Sequence, residues 1–117
     1  MAHIKLTLVL GSGSRIGPGK AALLESIEAT GSIAAAAREM RMDYKRAWLL
    51  IDSLNTAFTS PAVERVAGGS GGGGAVLTPL GRDLVARYRR LEAAAAELAA
   101  EDLRALEARA VPAGGAL

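Results

Sequence analysis

The chain has 117 residues, no cysteine, a single histidine and a formal net charge of +2 at pH 7. A chain of this length can bury one hydrophobic core without disulfides, and the lack of cysteine excludes thiolate metal sites. One histidine cannot build a metal site or a catalytic triad, so we expect neither an enzyme nor a bound metal or cofactor.

The first ten residues predict a short strand. Apolar side chains occupy every second position there: Ile4, Leu6, Leu8 and Leu10. This period of two is typical of a strand with one face on a core, and we expect the strand over residues 4–10. The same stretch is too short to span a membrane and lacks the features of an export signal, so we expect a cytoplasmic protein without membrane contact.

Residues 11–17 form a glycine-rich loop that leads into a helix. Pro18 suits the first position of that helix, which is expected to end before Gly31. Its expected buried positions are Ala21, Leu23, Leu24 and Ile27.

A strand, a glycine-rich loop and a helix are also the setting of a phosphate-binding loop. The Gly-x-x-x-x-Gly-Lys-Ser/Thr pattern would need glycine at Ser14 and a hydroxyl at Ala21, so we do not expect nucleotide hydrolysis. Arg15 and Lys20 remain able to touch a phosphate backbone.

Residues 32–55 predict two helices joined by a tight turn. Ser32 is the expected N-cap of the first helix, which ends near Met40, and Asp43 is the expected N-cap of the second. The second helix should bury one face, formed by Ala47, Leu50, Ile51, Leu54 and Phe58. Trp48 is expected to be a packing anchor of the core.

The opposite face of the second helix begins with Tyr44, Lys45 and Arg46. They occupy the first turn, the part that a helix-turn-helix inserts into the major groove of DNA. The arrangement therefore predicts DNA binding. A helical hairpin with exposed bases and no nucleic-acid role is the open alternative.

Two short apolar segments, residues 61–66 and 75–77, flank a glycine-rich stretch at 68–74. This pattern predicts a β-hairpin with a flexible tip, a wing, and a disordered linker is the alternative. Glycines have no side chains to read bases, so their expected use is close backbone approach to phosphates or entry along a groove.

The last third of the chain predicts one long helix. Thr78 is its expected N-cap and Pro79 its first residue, and no breaker follows until about Ala110. An apolar seam repeats at steps of three and four residues: Leu80, Leu84, Tyr88, Leu91, Ala95 and Leu98. Only the first turns can rest on a small domain, so this seam predicts the interface of a homodimer.

Charge is distributed unevenly along the chain. Residues 38–90 carry nine bases and five acids, whereas residues 91–117 carry five acids and two bases. A basic middle suits a polyanion-binding core whose acidic final helix points away. We predict a mainly α fold with a small β component: a winged helix-turn-helix over 1–78, a long dimerisation helix over 79–110 and a flexible tail over 111–117.

Three segments carry a resemblance to a known family: LLESIEATGSIAAAARE at 23–39, DYKRAWLLIDSLN at 43–55 and GGSGGGGAVLTPLG at 68–81. They resemble the N-terminal DNA-binding domain of ModE-type molybdate-responsive regulators, whose helix-turn-helix is related to that of LysR-type regulators. The resemblance implies a homodimer that binds palindromic operator DNA and regulates molybdenum uptake or use. The candidate DNA-binding residues are Ser32, Asp43, Tyr44, Lys45, Arg46, Leu49, Arg65, Gly69, Ser70, Gly71 and Gly72.

Two departures from the family pattern matter. Arg41 stands where glycine is common, so it is expected to adopt a left-handed conformation at a cost of about 1 kcal/mol. Regulators of this family usually continue into small β-barrel domains that bind molybdate, and we do not expect molybdate to bind these 117 residues directly. An alternative function of another class is a protein-interaction module that pairs with a separate sensor protein.

Overall fold

Four helices and two antiparallel two-stranded sheets make up the part of the chain that the computed structural model describes, residues 1–67 and 73–114. The fold is mainly α with a small β component, as the sequence predicts. In chain order the elements are β1 (Leu8–Val9), β2 (Arg15–Ile16), α1 (Pro18–Thr30), α2 (Ile33–Glu39), α3 (Tyr44–Ala57), β3 (Val63–Val66), β4 (Gly74–Leu77) and α4 (Pro79–Glu107).

The N-terminal segment alternates between half-buried and exposed residues over its first ten positions, which agrees with the predicted period of two. The prediction of a strand over 4–10 is nevertheless too long, because only Leu8 and Val9 have a strand partner. That partner is Arg15–Ile16, in a segment predicted to be loop throughout. A strand extends only as far as another segment lies beside it, and here the chain turns back at Leu10 to Ser14.

Helix α1 has the predicted bounds and the predicted buried face. It begins at Pro18, and Gly31 follows its last residue in the left-handed conformation, with φ of 75°. The Gly31 N–H donates to the Ile27 carbonyl oxygen at 2.8 Å, which closes the last turn. All four predicted apolar positions of this helix are buried.

Arg41 takes the expected left-handed conformation in the turn between α2 and α3, with φ of 54°. Its N–H donates to the Arg38 carbonyl, and the N–H of Met42 donates to the Ala37 carbonyl. This pair of bonds is a Schellman motif, which normally has glycine at the left-handed position. The motif stops α2 and turns the chain into α3 within four residues.

The β3–β4 hairpin is fixed to α3 by one amide side chain. Asn55 accepts hydrogen bonds from the N–H groups of Ala62 and Val63 at 2.9 and 3.0 Å, and donates to the Val63 carbonyl at 3.1 Å. The hairpin pairs Val63 with Leu77 and Arg65 with Ala75. Val63, Ala75 and Leu77 are buried in the core, so the inner face of the hairpin packs on the helices.

Helix α4 starts at the predicted residue and ends at Glu107, close to the predicted end. The Thr78 hydroxyl caps it by accepting the Gly81 N–H at 3.0 Å, and it donates to the Pro61 carbonyl at 2.7 Å. Tyr88 is fully buried, and its hydroxyl donates to the Leu6 carbonyl oxygen at 2.6 Å. Arg89 pairs with Glu25 of α1 at 2.6 Å and with Glu92 at 2.8 Å.

The described part of the chain measures 57 × 32 × 22 Å, because the second half of α4 extends away from the other elements. No helix in residues 1–67 or 73–114 combines the length and apolarity needed to cross a lipid bilayer.

Candidate nucleic-acid interface

The predicted DNA-binding side chains in the first half of α3 are exposed to solvent. Ala47, Ile51 and Leu54 are buried, as predicted. Successive residues of a helix are rotated by about 100°, so burial of this stripe leaves the opposite side facing solvent. Lys45 and Leu49 lie on that side, Arg46 lies at one edge of it, and Tyr44 lies at the other edge, nearer the buried stripe. All four predicted contacts are exposed.

The two predicted N-cap residues differ in what their side chains do. The Ser32 hydroxyl accepts the Ala35 N–H at 3.0 Å, so its oxygen caps α2. Asp43 occupies the N-cap position of α3, but its side chain makes no capping hydrogen bond and is exposed. The Asp43 carboxylate thus adds a negative charge beside Tyr44 and Lys45.

Basic side chains are frequent from the last turn of α2 to the first turn of α3. Arg38, Arg41, Lys45 and Arg46 are all exposed. The ion pairs found within the described residues join Arg87 to Asp83 and Arg89 to Glu25 and Glu92, so they use none of these four bases. Their positive charge is therefore available to an external polyanion.

Trp48 links α3 to the β3–β4 hairpin. It is half-buried, and the Arg65 guanidinium lies 5.1 Å from the centroid of its ring. The Tyr44 ring meets the indole edge-on, with centroids 6.3 Å apart and planes at 79°. Trp48 packs partly against the core, as predicted. It also contacts the exposed residues Tyr44 and Arg65, which the prediction did not include.

Sequence reasoning missed this cluster of Tyr44, Trp48 and Arg65. The spacing of Tyr44 and Trp48, four residues apart on a helix, is a signal that the two rings touch. The contact of Trp48 with Arg65 has no such signal, because it depends on how the hairpin folds back onto α3.

Lys20 links α3 to the first turn of α1 and to strand β2. Lys20 donates to the Ser53 hydroxyl at 2.9 Å and to the Arg15 carbonyl at 2.7 Å. The Lys20 ammonium group, which the sequence left as a possible phosphate contact, therefore joins β2 to α3 within the chain. The Arg15 side chain is exposed.

The tip of the hairpin contains four predicted DNA contacts: Gly69, Ser70, Gly71 and Gly72. These residues lie outside the part of the chain that the structure describes, and their role stays a prediction. Arg65, at the base of the tip, is exposed.

The predicted seam of α4 divides into two parts. Leu84 and Tyr88 are buried within the chain's own core, and Leu80 is half-buried. The prediction that Leu84 and Tyr88 contact a second chain needs correction, because α1 and the N-terminal segment already cover the first turns of α4. Beyond them the seam is open: Leu91 is 43% exposed and Leu98 is 85% exposed, with Ala95 half-buried between them.

Two further apolar features lie on the second half of α4. Leu106 is 66% exposed and extends the open seam beyond the predicted residues. A groove of about 720 Å³ separates residues 1–4 from α4 and is lined mainly by small or apolar side chains, including Ala96, Ala100 and Leu103. In residues 1–67 and 73–114, no three carboxylate or imidazole groups meet as a metal site would require.

Several curated proteins are similar to this chain, although no family model matches it. It is 47% identical over 87 residues to the molybdenum-pterin-binding protein MopB of Rhodobacter capsulatus, an alignment that covers 74% of this chain and 32% of MopB. It is 44% identical over 88 residues to the molybdenum transport protein ModE of Azotobacter vinelandii, covering 75% and 33%. It is 41% identical over 87 residues to the DNA-binding transcriptional dual regulator ModE of Escherichia coli K12, covering 74% and 33%. The aligned region thus spans about a third of the length of these relatives.

Proposed function

Because 74% of the chain aligns at 41–44% identity with transcriptional regulators named ModE, we propose that this protein is a ModE-like regulator that binds specific DNA sequences as a homodimer. In this proposal α3 is the recognition helix and the β3–β4 hairpin is the wing of a winged helix-turn-helix. The observation that carries the proposal is the exposure of Tyr44, Lys45 and Arg46 together in the first turn of α3.

The first turn of α3 enters the major groove in this mechanism. Lys45 or Arg46 would donate hydrogen bonds to the acceptors on guanine, the commonest specific contact between proteins and DNA. Arg38, in the last turn of α2, and Arg41, in the α2–α3 turn, precede α3 in the chain and would neutralise phosphates. Base contacts then give specificity, and phosphate contacts give much of the affinity.

The homodimer would form through the open part of α4. Leu91, Leu98 and Leu106 expose apolar surface that a second copy could cover, and burying one leucine is worth about 1.5–3 kcal/mol. A two-fold axis between the copies would direct the two recognition helices to half-sites about 34–36 Å apart, which implies a palindromic operator. The molybdenum link in the relatives' names suggests that the regulated genes serve molybdenum uptake or use.

One observation also favours the second candidate, a module that pairs with a separate sensor protein. The groove between residues 1–4 and α4 is lined mainly by small or apolar side chains, so a helix of another protein could occupy it. Such an interface would be hydrophobic and would depend little on salt.

The decisive experiment selects DNA from a random-sequence pool with the purified protein and then measures affinity by fluorescence anisotropy at several salt concentrations. We expect enrichment of a palindromic sequence. A protein that contacts six to ten phosphates should lose about 10³- to 10⁵-fold in affinity between 50 and 200 mM salt. If no sequence is enriched and a pool of unrelated DNA competes equally well, the proposal of a sequence-specific regulator is wrong.

A further inference from the structure

Two contacts attach strand β3 to helix α3, one at each end of the strand. At one end Asn55 hydrogen-bonds to both the N–H and the C=O of Val63. At the other end the Arg65 guanidinium lies over the Trp48 ring. Trp48 precedes Asn55 on α3, whereas Arg65 follows Val63 on β3, so the strand runs back along the helix towards its N-terminal turn.

Strand geometry explains why Arg65 lies over α3. Side chains two residues apart point to the same face of a strand, so Arg65 shares the inner face with Val63. Val63 is buried, whereas Arg65 lies beyond the edge of the core and is exposed. At that edge the Trp48 indole supplies the surface on which the Arg65 side chain rests.

The Arg65 guanidinium also lies near Gly73, the residue before β4. A β-carbon added at Gly73 would be 3.7 Å from its Nη2 atom, an ordinary van der Waals distance. The Tyr44 ring in turn contacts the indole edge-on. A series of contacts therefore runs from the first turn of α3, through Trp48, to the base of the hairpin tip.

We propose that Trp48 is a positioning residue that holds the Arg65 guanidinium beside the first turn of α3, so that helix and wing engage DNA as one surface. The inference rests on the proposed function and assigns to Trp48 a part in DNA binding without direct contact. A guanidinium stacked on an indole keeps its N–H groups directed outward from the ring, where they can donate to a phosphate. Holding a long side chain in place before binding reduces the ordering that binding requires.

The contact can be tested first in the free protein. Trp48 is the only tryptophan, so indole signals report on this site alone. The ring current of the indole should shift the Arg65 side-chain protons upfield in the NMR spectrum, and Trp48→Leu should abolish the shift. Arg65 protons at random-coil positions in the parent would overturn the proposal.

The role in DNA binding is tested by a double-mutant cycle on the selected DNA site. Trp48→Leu and Arg65→Met should each weaken binding by roughly threefold or more, and the double variant should bind no more weakly than Arg65→Met alone. Trp48→Phe keeps an aromatic face and should retain most of the parental affinity. The matched control pairs Trp48→Leu with Lys45→Ala, for which the two losses should multiply.

Circular dichroism and thermal unfolding identify variants that do not fold. If Trp48→Leu does not fold, Trp48→Met, which also lacks an aromatic face, replaces it in the cycle. If the parent binds its site but the affinity losses of the Trp48 and Arg65 variants multiply, Trp48 does not position Arg65. The inference is then wrong, while the proposed function stands. If the parent binds no DNA, the proposed function fails and the inference with it.

Discussion

The α-carbon of Gly81 faces the carbonyl oxygen of Ala62 so closely that a β-carbon at position 81 would overlap that oxygen. The same oxygen accepts hydrogen bonds from the Thr78 N–H at 2.9 Å and the Thr78 hydroxyl at 3.2 Å. One carbonyl group thus joins the first turn of α4 to the residue before β3. The absence of a side chain at Gly81 allows this approach.

Gly81→Ala should destabilise the protein by about 1–3 kcal/mol, because the added methyl group forces α4 away from Ala62. Helix propensity alone would predict the opposite sign, since alanine is about 1 kcal/mol better than glycine in a helix. Chemical denaturation measures the difference. Gly19→Ala in α1 is the matched control, because a β-carbon there meets open space, and it should be neutral or stabilising.

Arg41→Gly should stabilise the protein by about 0.5–1 kcal/mol, because glycine adopts the left-handed conformation without the steric penalty of an arginine. The comparison variant is Arg38→Gly. Arg38 lies in helix α2, where glycine is unfavourable, so this variant should lose about the same amount of stability. Urea unfolding of the three proteins gives both values. A destabilised Arg41→Gly would mean that the Arg41 side chain contributes more than its backbone conformation costs.

The ion pair of Glu25 with Arg89 predicts a loss of stability in acid. The hydrogen bond from Arg89 lowers the pKa of Glu25 below its ordinary value of 4.5, an effect that partial desolvation opposes. A carboxyl group whose pKa is lower in the folded state contributes its stability above the unfolded pKa, and that contribution is lost as pH falls through the folded value. Both side chains are more than a third exposed, so the contribution should be about 1 kcal/mol or less.

Unfolding experiments between pH 7 and pH 3 on the parent and Glu25→Gln test this sign. At pH 7 the parent should be more stable than Glu25→Gln, and the difference between their unfolding free energies should shrink below pH 4.5. Glu28→Gln, on an exposed position of the same helix, serves as control and should match the parent throughout. A difference that persists unchanged at pH 3 would assign the effect to packing.

Lys45→Ala and Arg46→Ala should weaken binding to the selected DNA site. Loss of a base contact should make the binding free energy less favourable by about 1–3 kcal/mol, and loss of a phosphate contact should lower the salt slope by about one. Arg104→Ala removes the same charge from an exposed position far along α4 and should leave both quantities nearly unchanged. If both α3 variants bind like the parent and are folded, α3 does not read DNA.

Leu91→Glu combined with Leu98→Glu should convert the proposed dimer to a monomer, because it introduces charges into the exposed apolar seam. Sedimentation velocity measures the change, and affinity for the palindromic site should fall with it. Ala86→Glu combined with Ala93→Glu adds the same charges at the same spacing on the opposite side of α4 and should leave the dimer intact. A double leucine variant that still sediments as a dimer would exclude this part of α4 as the interface.

The sequence predicted local features well, because its helices carry their own boundary signals. Pro18, Ser32, Asp43 and Thr78 begin the helices where expected. These signals act within a few residues of the chain, and a single sequence displays them directly. The left-handed Arg41 was expected from the family resemblance, in which glycine is common at that position.

Features that depend on distant segments were not predictable in the same way. Leu84 and Leu91 occupy equivalent positions in the seven-residue repeat, yet Leu84 is buried by the rest of the chain whereas Leu91 is 43% exposed. Periodicity identifies an apolar stripe without saying which segment covers it. The contact of Arg65 with Trp48 likewise depends on where the hairpin packs against α3. The length of β1 depends on how much of the chain pairs with it.

The bond between the Tyr88 hydroxyl and the Leu6 carbonyl has a consequence for synthesis on the ribosome. Leu6 is made early, but its partner follows 82 residues later. At translation rates of about 5–20 residues per second, that separation corresponds to roughly 4–16 s. During this interval α1, α2 and α3 can begin to pack, whereas the apolar side chains of Ile4 and Leu6 have no α4 to rest on. The nascent N-terminus is therefore the segment for which a ribosome-associated chaperone has the longest time to compete.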